Sequence, residues 1–305
     1  MSTPVDVVAA VDIGGTRIKA ALVDRELTAL IHTTEPTPRD ISQDIAGAVS
    51  ASIDRLVAHV EGDGGQVRLV ACGVVVPGLV DESTGTGRLS VNLGWRDLPI
   101  RDAVESVTRL PTEVGHDVRA GLVAEARIGG ARGARNVLFI PVGTGIAGAL
   151  MLDGRVVRAD GWAGELGHLV VDAAGPPCPC GGNGCLEGIS SAAAVEREYA
   201  ALSGRFVDAE TVARLAGAGE PAAVAVWSRA VGALAQAIVA TVTITGVELV
   251  LVGGGLAQSG ETLLGPLRSE ISERLTLQRP PDVARAALGD RAGCLGAACL
   301  AWDAQ

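Results

Sequence analysis

Apolar and polar residues alternate along the first part of the chain in a pattern that predicts strands followed by a helix. Residues 5–15 form an apolar stretch that ends in a glycine turn, and residues 16–24 resume a strand pattern, so the two predict a β-hairpin. Residues 26–34 extend the alternation as a third strand. Residues 41–60 then place apolar side chains on one helical stripe. Strands followed by a helix predict an α/β layer.

The same pattern begins again near the middle of the chain. An apolar strand over residues 136–145 runs into a second glycine turn, and residues 146–159 return as strands around Asp153–Gly154. We interpret residues 12–19 and 142–150 as an internal repeat, with one strand, glycine turn and strand in each. The repeat predicts two similar α/β halves that face a cleft.

Further strands and helices are predicted within the two halves. The sequence predicts a buried strand over 67–78, a short strand over 111–117, a helix over 117–128, a long helix over 222–245, a strand over 247–257 and a small-residue helix over 292–302. We expect the last helix to pack back on the first half. The domains would therefore be residues 1–115, completed by 291–305, and residues 116–290.

Composition limits the class of partner. The 305 residues are enough for one large domain or two modest ones, and the net charge of −10 opposes binding to DNA or to an acidic membrane surface. A small-molecule partner is the better expectation. No apolar run approaches the roughly 20 residues that span a bilayer, and no basic region precedes the first strand. We therefore predict a cytoplasmic protein that binds neither nucleic acid nor membrane.

Three glycine turns stand where strands end. In the first turn, backbone N–H groups could converge on a phosphate, although the same residues could also form an ordinary hairpin turn. Asp12 precedes it, and a carboxylate there could hold Mg²⁺ directly or through water. The second turn repeats this construction, and the third would admit a flat adenine or ribose, or simply cap a helix. The turns are Asp12-Ile13-Gly14-Gly15-Thr16, Val142-Gly143-Thr144-Gly145 and Gly253-Gly254-Gly255.

One imidazole and three thiols lie within a short loop rich in glycine and proline. They are His168, Cys178, Cys180 and Cys185. Buried cysteines or one disulfide would be the alternative, but cytoplasmic cysteines are normally reduced, and this donor set completes a tetrahedral zinc shell. With four protein ligands the ion would be structural. The isolated Cys72, Cys294 and Cys299 are predicted to be core thiols.

Three carboxylates are candidates for sugar chemistry. Asp117 follows a short strand and opens a helix, so it could cap that helix, accept a hydroxyl proton during phosphoryl transfer, or do both. Glu165 and Glu187 flank the cysteine loop. They could be ordinary surface carboxylates, but a metal-fixed loop would hold both in place for sugar hydroxyls.

Taken together, these motifs resemble the ROK family (repressors, open reading frames and sugar kinases) of the actin-like ATPase superfamily, over nearly the whole chain. The first turn with Lys19 resembles the first phosphate motif, residues 142–148 the second, and Gly253–Gly255 the adenosine motif. Residues 165–168 followed by 178–187 are similar to the family signature. The resemblance implies two actin-like, ribonuclease H-like domains flanking a cleft, with a zinc-bound loop.

The resemblance also implies roles for individual residues. Asp117 would be the base for the sugar 6-hydroxyl, and His168 would both bind zinc and contact the sugar. Nucleotide and Mg²⁺ would be bound by Asp12, Gly14, Gly15, Thr16, Lys19, Gly143, Thr144, Gly145, Gly254 and Gly255. The sugar would be bound by Gly78, Asn92, His116, Asp117, Glu165, His168 and Glu187. His116 departs from the family, in which most sugar kinases have an Asn that bonds a ring hydroxyl.

The function predicted from the sequence is ATP-dependent phosphorylation of the 6-hydroxyl of a hexose, with glucose as the first candidate. Because of His116, an amino or N-acetylamino sugar such as kanosamine, N-acetylglucosamine or N-acetylmannosamine is the alternative. A repressor of the same family would need a helix-turn-helix domain that eleven residues before Asp12 cannot form. A non-catalytic sugar sensor is a further alternative. Family resemblance favours a homodimer or homotetramer.

Overall fold

The structure, a computed structural model, describes residues 4–305 and divides them into two compact units. Unit 1 runs to Ile128 and also contains Arg158–Trp162 and Arg291–Gln305. Unit 2 contains Gly129–Val157 and Ala163–Asp290.

Unit 1 is built on a five-stranded sheet with the order β3-β2-β1-β4-β8. Strands β1, β2 and β3 are antiparallel neighbours, whereas β4 and β8 run parallel to β1. The strands of this unit are β1 (Val5–Ile13), β2 (Arg17–Val23), β3 (Ala29–Pro36), β4 (Val67–Val76), β5 (Leu79–Asp81), β6 (Thr86–Ser90), β7 (Trp95–Pro99) and β8 (Thr112–His116). Strands β5, β6 and β7 form a separate antiparallel sheet that we did not predict.

Unit 2 repeats the topology of the large sheet. Its order is β11-β10-β9-β12-β13, with β9, β10 and β11 antiparallel and β12 and β13 parallel to β9. The strands are β9 (Val137–Pro141), β10 (Ala149–Leu152), β11 (Arg155–Val156), β12 (Leu249–Gly253) and β13 (Asp282–Arg285). When only the five strands of each sheet are counted in chain order, the spatial order in both sheets is third, second, first, fourth, fifth. The predicted internal repeat is therefore confirmed.

Nine α-helices in the described part of the chain surround these sheets. They are α1 (Ile45–Gly62), α2 (Ile100–Thr108), α3 (Asp117–Ile128), α4 (Leu186–Ser190), α5 (Ala192–Ser203), α6 (Ala209–Gly217), α7 (Pro221–Thr245), α8 (Glu261–Arg274) and α9 (Ala292–Asp303). Helix α1 begins later than the predicted residue 41 because the Asp44 side chain accepts the N–H of Gly47 and caps the helix there.

Helix α7 is the core helix of unit 2. By length and composition it could span a membrane, which corrects the expectation that no segment approached that length. Half of its most apolar window is buried, and Val231, Leu234 and Ile238 pack in the main hydrophobic cluster of unit 2. The helix begins at Pro221 and ends at Thr245, and the left-handed backbone of Gly246 terminates it.

Helix α9 packs on β1, β4 and α3, as predicted for a C-terminal helix that returns to the first half. Two glycines allow this close packing. A Cβ atom on Gly73 would lie 2.0 Å from the carbonyl oxygen of Ala297, and one on Gly296 would lie 2.3 Å from the backbone of Ala120. Since α3 packs on α9, residues 116–128 belong to unit 1, whereas the sequence placed them in the second domain.

We predict that Gly296→Ala lowers the free energy of unfolding by about 1–3 kcal/mol, because the added methyl group must displace backbone atoms. Urea denaturation measures the change. The matched control is Gly62→Ala in α1, where a Cβ atom meets nothing within 4 Å. Equal effects of the two substitutions would contradict this packing.

Candidate functional site

Four candidate residues of unit 1 lie at the carboxyl ends of three neighbouring parallel strands. In the register of the sheet, Asp12 of β1 is opposite Val75 of β4, and Val76 is opposite His116 of β8. Gly78 follows β4, and Asp117 follows β8. Because the carboxyl ends of parallel strands meet at one edge, the topology gathers these residues although they are far apart in sequence.

The first glycine turn connects β1 to β2 and is fixed by its own backbone and by Thr37. The N–H of Gly14 donates to the carbonyl of Arg17 at 2.9 Å. The Thr37 hydroxyl donates to the carbonyl of Gly14 at 2.7 Å, and the Thr37 N–H donates to the carbonyl of Thr16 at 3.0 Å. Gly15 and Thr16 are exposed, so they can meet a ligand. Sequence reasoning missed Thr37, since only the β2–β3 register brings it to the turn.

Asp12 and Lys19 are directly opposite each other across the β1–β2 hairpin. Both are half-buried. Gly293, at the start of α9, lies against Asp12: a Cβ atom on this glycine would be 2.6 Å from a carboxylate oxygen. The beginning of a helix favours a nearby negative charge. The turn therefore carries one fixed carboxylate and one ammonium group.

Asn92 borders the same turn, and Gly78 packs against the small sheet. A Cβ atom on Gly15 would lie 3.9 Å from Cβ of Asn92. Gly78 has a φ of +101°, and a Cβ atom there would lie 2.3 Å from the carbonyl oxygen of Leu89 in β6. Glycine is therefore required at position 78 both for its backbone angle and for the close approach to β6.

His116 and Asp117 form a contact pair where β8 passes into α3. Nδ1 of His116 is 3.2 Å from Oδ1 of Asp117. The backbone N–H of Val118 is 2.8 Å from the same Oδ1 and 3.2 Å from Nδ1. The His116 side chain is 7% exposed and that of Asp117 is 26% exposed. The carboxylate is thus held on one side and open to a ligand on the other.

A buried ion pair fixes the first turn of α3. Nε of Arg119 donates to Oε1 of Glu82 at 2.8 Å, with only 3% of the arginine side chain exposed. Burial raises the pKa of Glu82, but hydrogen bonds and charge from Arg119 and then Arg158 outweigh burial, so this pKa lies below its ordinary value. The ion pair keeps the start of α3, and with it Asp117, in a fixed position.

In unit 2 the second and third glycine turns are bonded to each other. The N–H of Val142 donates to the carbonyl of Gly253 at 2.9 Å, and the N–H of Leu256 donates to the carbonyl of Val142 at 3.0 Å. Gly254 has a φ of +76°, and a Cβ atom on it would lie 2.3 Å from the Val142 oxygen. Gly143 and Gly255 face open space. The two turns therefore form one surface at the carboxyl ends of β9 and β12.

Glu187 joins the second turn to the cysteine loop. Its Oε2 accepts the N–H of Ile146 at 2.8 Å, and a Cβ atom on Gly145 would lie 2.6 Å from that oxygen. Gly167 packs against the carbonyl of Ile146 from the Glu165–His168 segment. The sequence predicted Glu187 as a sugar ligand and did not reveal its bond to the turn.

The four predicted metal ligands converge in unit 2. Their ligand atoms all lie within 4.8 Å of one another. Nδ1 of His168 is 3.7 Å from Sγ of Cys178, and Sγ of Cys180 is 3.6 Å from Sγ of Cys185. A tetrahedral ion with metal–sulfur bonds of about 2.3 Å would separate two sulfurs by about 3.8 Å. The donor set and its spacing therefore fit a zinc ion.

The thiols differ in their surroundings. A hydrogen bond from the Gly182 backbone, followed by the neighbouring thiols, lowers the pKa of Cys180, whereas burial raises the pKa of Cys185 to about 12. A bound cation would offset that burial cost by stabilising the thiolate. Outside the cluster, Cys72, Cys294 and Cys299 are buried, and burial raises the pKa of each. They are core thiols, as predicted.

Residues 8–304 match the sequence model of the ROK family. The chain belongs to the ROK family. It is 32% identical to glucokinase from Halalkalibacterium halodurans, covering 95% of this chain and 93% of that one. It is also 32% identical to N-acetylmannosamine kinase from Citrobacter koseri, covering 96% and 97%.

Among solved structures, a ROK family glucokinase from Streptomyces griseus in complex with glucose and AMPPNP superimposes with a TM-score of 0.85. It is 29% identical and covers 97% of this chain and 99% of that one. The chain is a sugar kinase of the ROK family, with the two-unit α/β architecture that the actin-like resemblance implied.

We predict that Gly254→Ala destabilises unit 2 by about 1–3 kcal/mol, because a side chain there meets the Val142 backbone and an unfavourable φ. Thermal or urea unfolding measures the loss. Gly255→Ala is the matched control, since a Cβ atom at that position meets nothing within 4 Å. If the Gly254 variant unfolds like the Gly255 variant, the two turns do not pack as described.

Proposed function

We propose that this protein transfers the γ-phosphoryl group of ATP to the 6-hydroxyl of a hexose, with glucose as the substrate. The observation that carries the proposal is the Asp117 carboxylate, which is contacted at Oδ1 and remains 26% exposed. It is the first residue of α3, at the strand edge that also carries Asp12 and Gly78. The glucokinase relatives and the glucose complex of a similar chain support the choice of sugar.

Asp117 is the proposed base. Its carboxylate accepts the proton of the sugar 6-hydroxyl as that oxygen attacks the γ-phosphorus. A new O–P bond forms to the sugar, the bond between the γ-phosphorus and the β,γ-bridging oxygen breaks, and ADP leaves with the electron pair. The ion pair between Arg119 and Glu82 would keep this carboxylate in position throughout.

The two exposed glycine turns are the proposed phosphate sites. Gly14, Gly15 and Thr16, and separately Gly143, Thr144 and Gly145, would present backbone N–H groups to phosphate oxygens. Lys19 adds a positive charge, and Asp12 would hold Mg²⁺ directly or through water, since hard cations prefer carboxylate oxygen. Gly254 and Gly255 would accept the adenosine, and the open space at Gly255 leaves room for a flat group.

Seven residues are the sugar ligands that we propose. They are Gly78, Asn92, His116, Asp117, Glu165, His168 and Glu187. His168 faces Cys178 with Nδ1, while its Nε2 is 4.0 Å from Glu165. One ring nitrogen can therefore bind a metal while the other edge remains next to a sugar ligand.

Zinc is the metal we propose for the four-ligand cluster. With all four positions of a tetrahedral shell supplied by protein, the ion would hold the loop that carries Glu165 and Glu187 and would not activate water. Its role in catalysis would be the placement of these carboxylates.

An N-acetylamino or amino hexose is the second candidate substrate. The observation that favours it is the buried imidazole of His116, whose Nδ1 edge is engaged with Asp117 and Val118. A ring in this position changes the shape and polarity of the pocket compared with an amide. The N-acetylmannosamine kinase relatives are consistent with such a substrate.

We predict that Asp117→Asn lowers kcat for glucose by about 10²- to 10⁴-fold while sugar and nucleotide still bind, because the amide fills the same space but cannot accept the proton. An ATP-coupled assay and calorimetric binding measure the two effects. Turnover within a few-fold of the parent would remove Asp117 from the role of base.

We also predict about one zinc per chain in the purified protein, and a near-complete loss in Cys185→Ser. Metal analysis by mass spectrometry measures both. Cys299→Ser serves as the control, since it changes a buried thiol outside the cluster. Active parent protein without zinc, or equal zinc content in the two variants, would refute a structural zinc.

A further inference from the structure

We propose that Glu196 selects adenine nucleotides by accepting a hydrogen bond from the amino group on carbon 6 of the base. The inference rests on the proposed function, because it takes the third glycine turn to bind adenosine. It goes beyond that function in naming the residue that distinguishes adenine from other bases.

A cavity of about 220 Å³ lies beside the third glycine turn. Gly255 and Leu256 line it from that turn, and Ala192 and Ala209 line it from the first residues of α5 and α6. Drug-sized ligands occupy sites of about 300–1,000 Å³, so this cavity suits the base of a nucleotide better than the whole molecule. Its small and apolar lining residues are suited to the faces of a flat ring.

Hydrogen bonds connect the wall of this cavity to the second glycine turn. The N–H of Ala192 donates to the carbonyl of Gly143 at 2.8 Å, and the N–H of Leu256 donates to the carbonyl of Val142 at 3.0 Å. All four residues belong to unit 2. A nucleotide whose phosphates lie on the second turn therefore has this cavity next to it.

The charge of the cavity decides which end of the nucleotide enters it. Glu196, Asp208 and Glu210 line it, and none of the described residues that line it is basic. Three carboxylates repel a triphosphate, whereas they attract a neutral base that carries a hydrogen-bond donor. The base is therefore the part of the nucleotide that fits here.

Glu196 is the carboxylate best placed to bind the base. Its Oε1 accepts the backbone N–H of Ala209 at 3.0 Å, which fixes the side chain, and within residues 4–305 nothing donates to its Oε2. Asp208 is already engaged, because its Oδ1 caps α6 by accepting the N–H of Thr211 at 2.8 Å. Glu196 is half-buried, whereas Asp208 and Glu210 are exposed, so water weakens a bond to Glu196 least.

The chemistry of the carboxylate selects the amino group of adenine. An ionised carboxylate can only accept hydrogen bonds. Adenine offers the amino group on carbon 6 as a donor, whereas guanine has an acceptor oxygen on that carbon. That oxygen would face the carboxylate acceptor to acceptor. Glu196 should therefore favour ATP over nucleotides that lack this amino group.

Calorimetric titration with the Mg²⁺ complexes of ATP, GTP and 6-chloropurine riboside triphosphate, without sugar, measures this selectivity. The chloro nucleotide has chlorine in place of the amino group of ATP. We expect the parent to bind ATP at least about tenfold more tightly than either of the others, because both lose a bond to a charged group.

Glu196→Gln should reduce this preference to less than about threefold. Its amide oxygen is still needed to accept the Ala209 N–H, so its NH₂ group meets the amino group of adenine donor to donor. Glu196→Asp keeps the charge but shortens the side chain, and it should lose the same preference.

Glu198→Gln is the matched control on the same helix. Nη1 of Arg229 donates to Oε1 of Glu198 at 2.7 Å, and Glu198 does not line the cavity. This variant should keep the preference of the parent for ATP. Glu196 does not select the base if the parent binds all three nucleotides within about threefold, if GTP binds most tightly, or if Glu196→Gln weakens all three equally.

These binding measurements do not depend on phosphoryl transfer. If the parent selects ATP through Glu196 but phosphorylates no sugar, the role of Glu196 stands and the proposed function fails. If the parent phosphorylates glucose equally well with ATP and with the chloro nucleotide, the function stands and the role of Glu196 fails. A parent that binds none of the three nucleotides contradicts both.

Discussion

Direct contact between backbones, allowed only by glycine, is the constraint on which both units depend. In unit 2, Gly254 touches the carbonyl of Val142, and Gly167 touches that of Ile146. The turn after β9 is consequently bonded to the turn after β12 and packed against the segment that carries His168. In unit 1, Gly73 and Gly296 bring α9 onto β4 and α3 in the same way. Asp117, which opens α3, and the turns after β9 and β12 are attached to elements held by these contacts.

These contacts explain which parts of the protein could be predicted from sequence. Apolar strands that end in glycine turns predicted the β1–β2 and β9–β10 hairpins, the Gly129–Gly130 pair marked the end of α3, and a run of small residues marked α9. The sheet of β5, β6 and β7 was missed because its strands are only three to five residues long and largely polar. The domain boundary near residue 116 was placed too early, since the packing of α3 on α9 joins segments far apart in sequence.

In the candidate site, too, ligands that are close in sequence could be predicted, whereas contacts between distant segments could not. The cluster of His168 with three cysteines was predictable because all four ligands come from one short loop whose spacing is visible in the sequence. The support of Gly14 by Thr37, the approach of Asn92 to Gly15 and the bond between Glu187 and Ile146 all depend on strand register or loop packing. No sequence pattern reports such contacts, and their discovery required the fold.

The Asp117 carboxylate and the glycine turns are proposed to act together in a hexose 6-kinase. The most direct measurement is to incubate the protein with ATP, Mg²⁺ and glucose and to locate the product phosphate by ³¹P–¹H correlation NMR. A hexose 6-kinase forms a phosphate ester coupled to the two protons on carbon 6, together with one equivalent of ADP, and we expect this product. A phosphate on another carbon, or ADP formed without any sugar ester from glucose or from the N-acetylamino and amino hexoses, would contradict it.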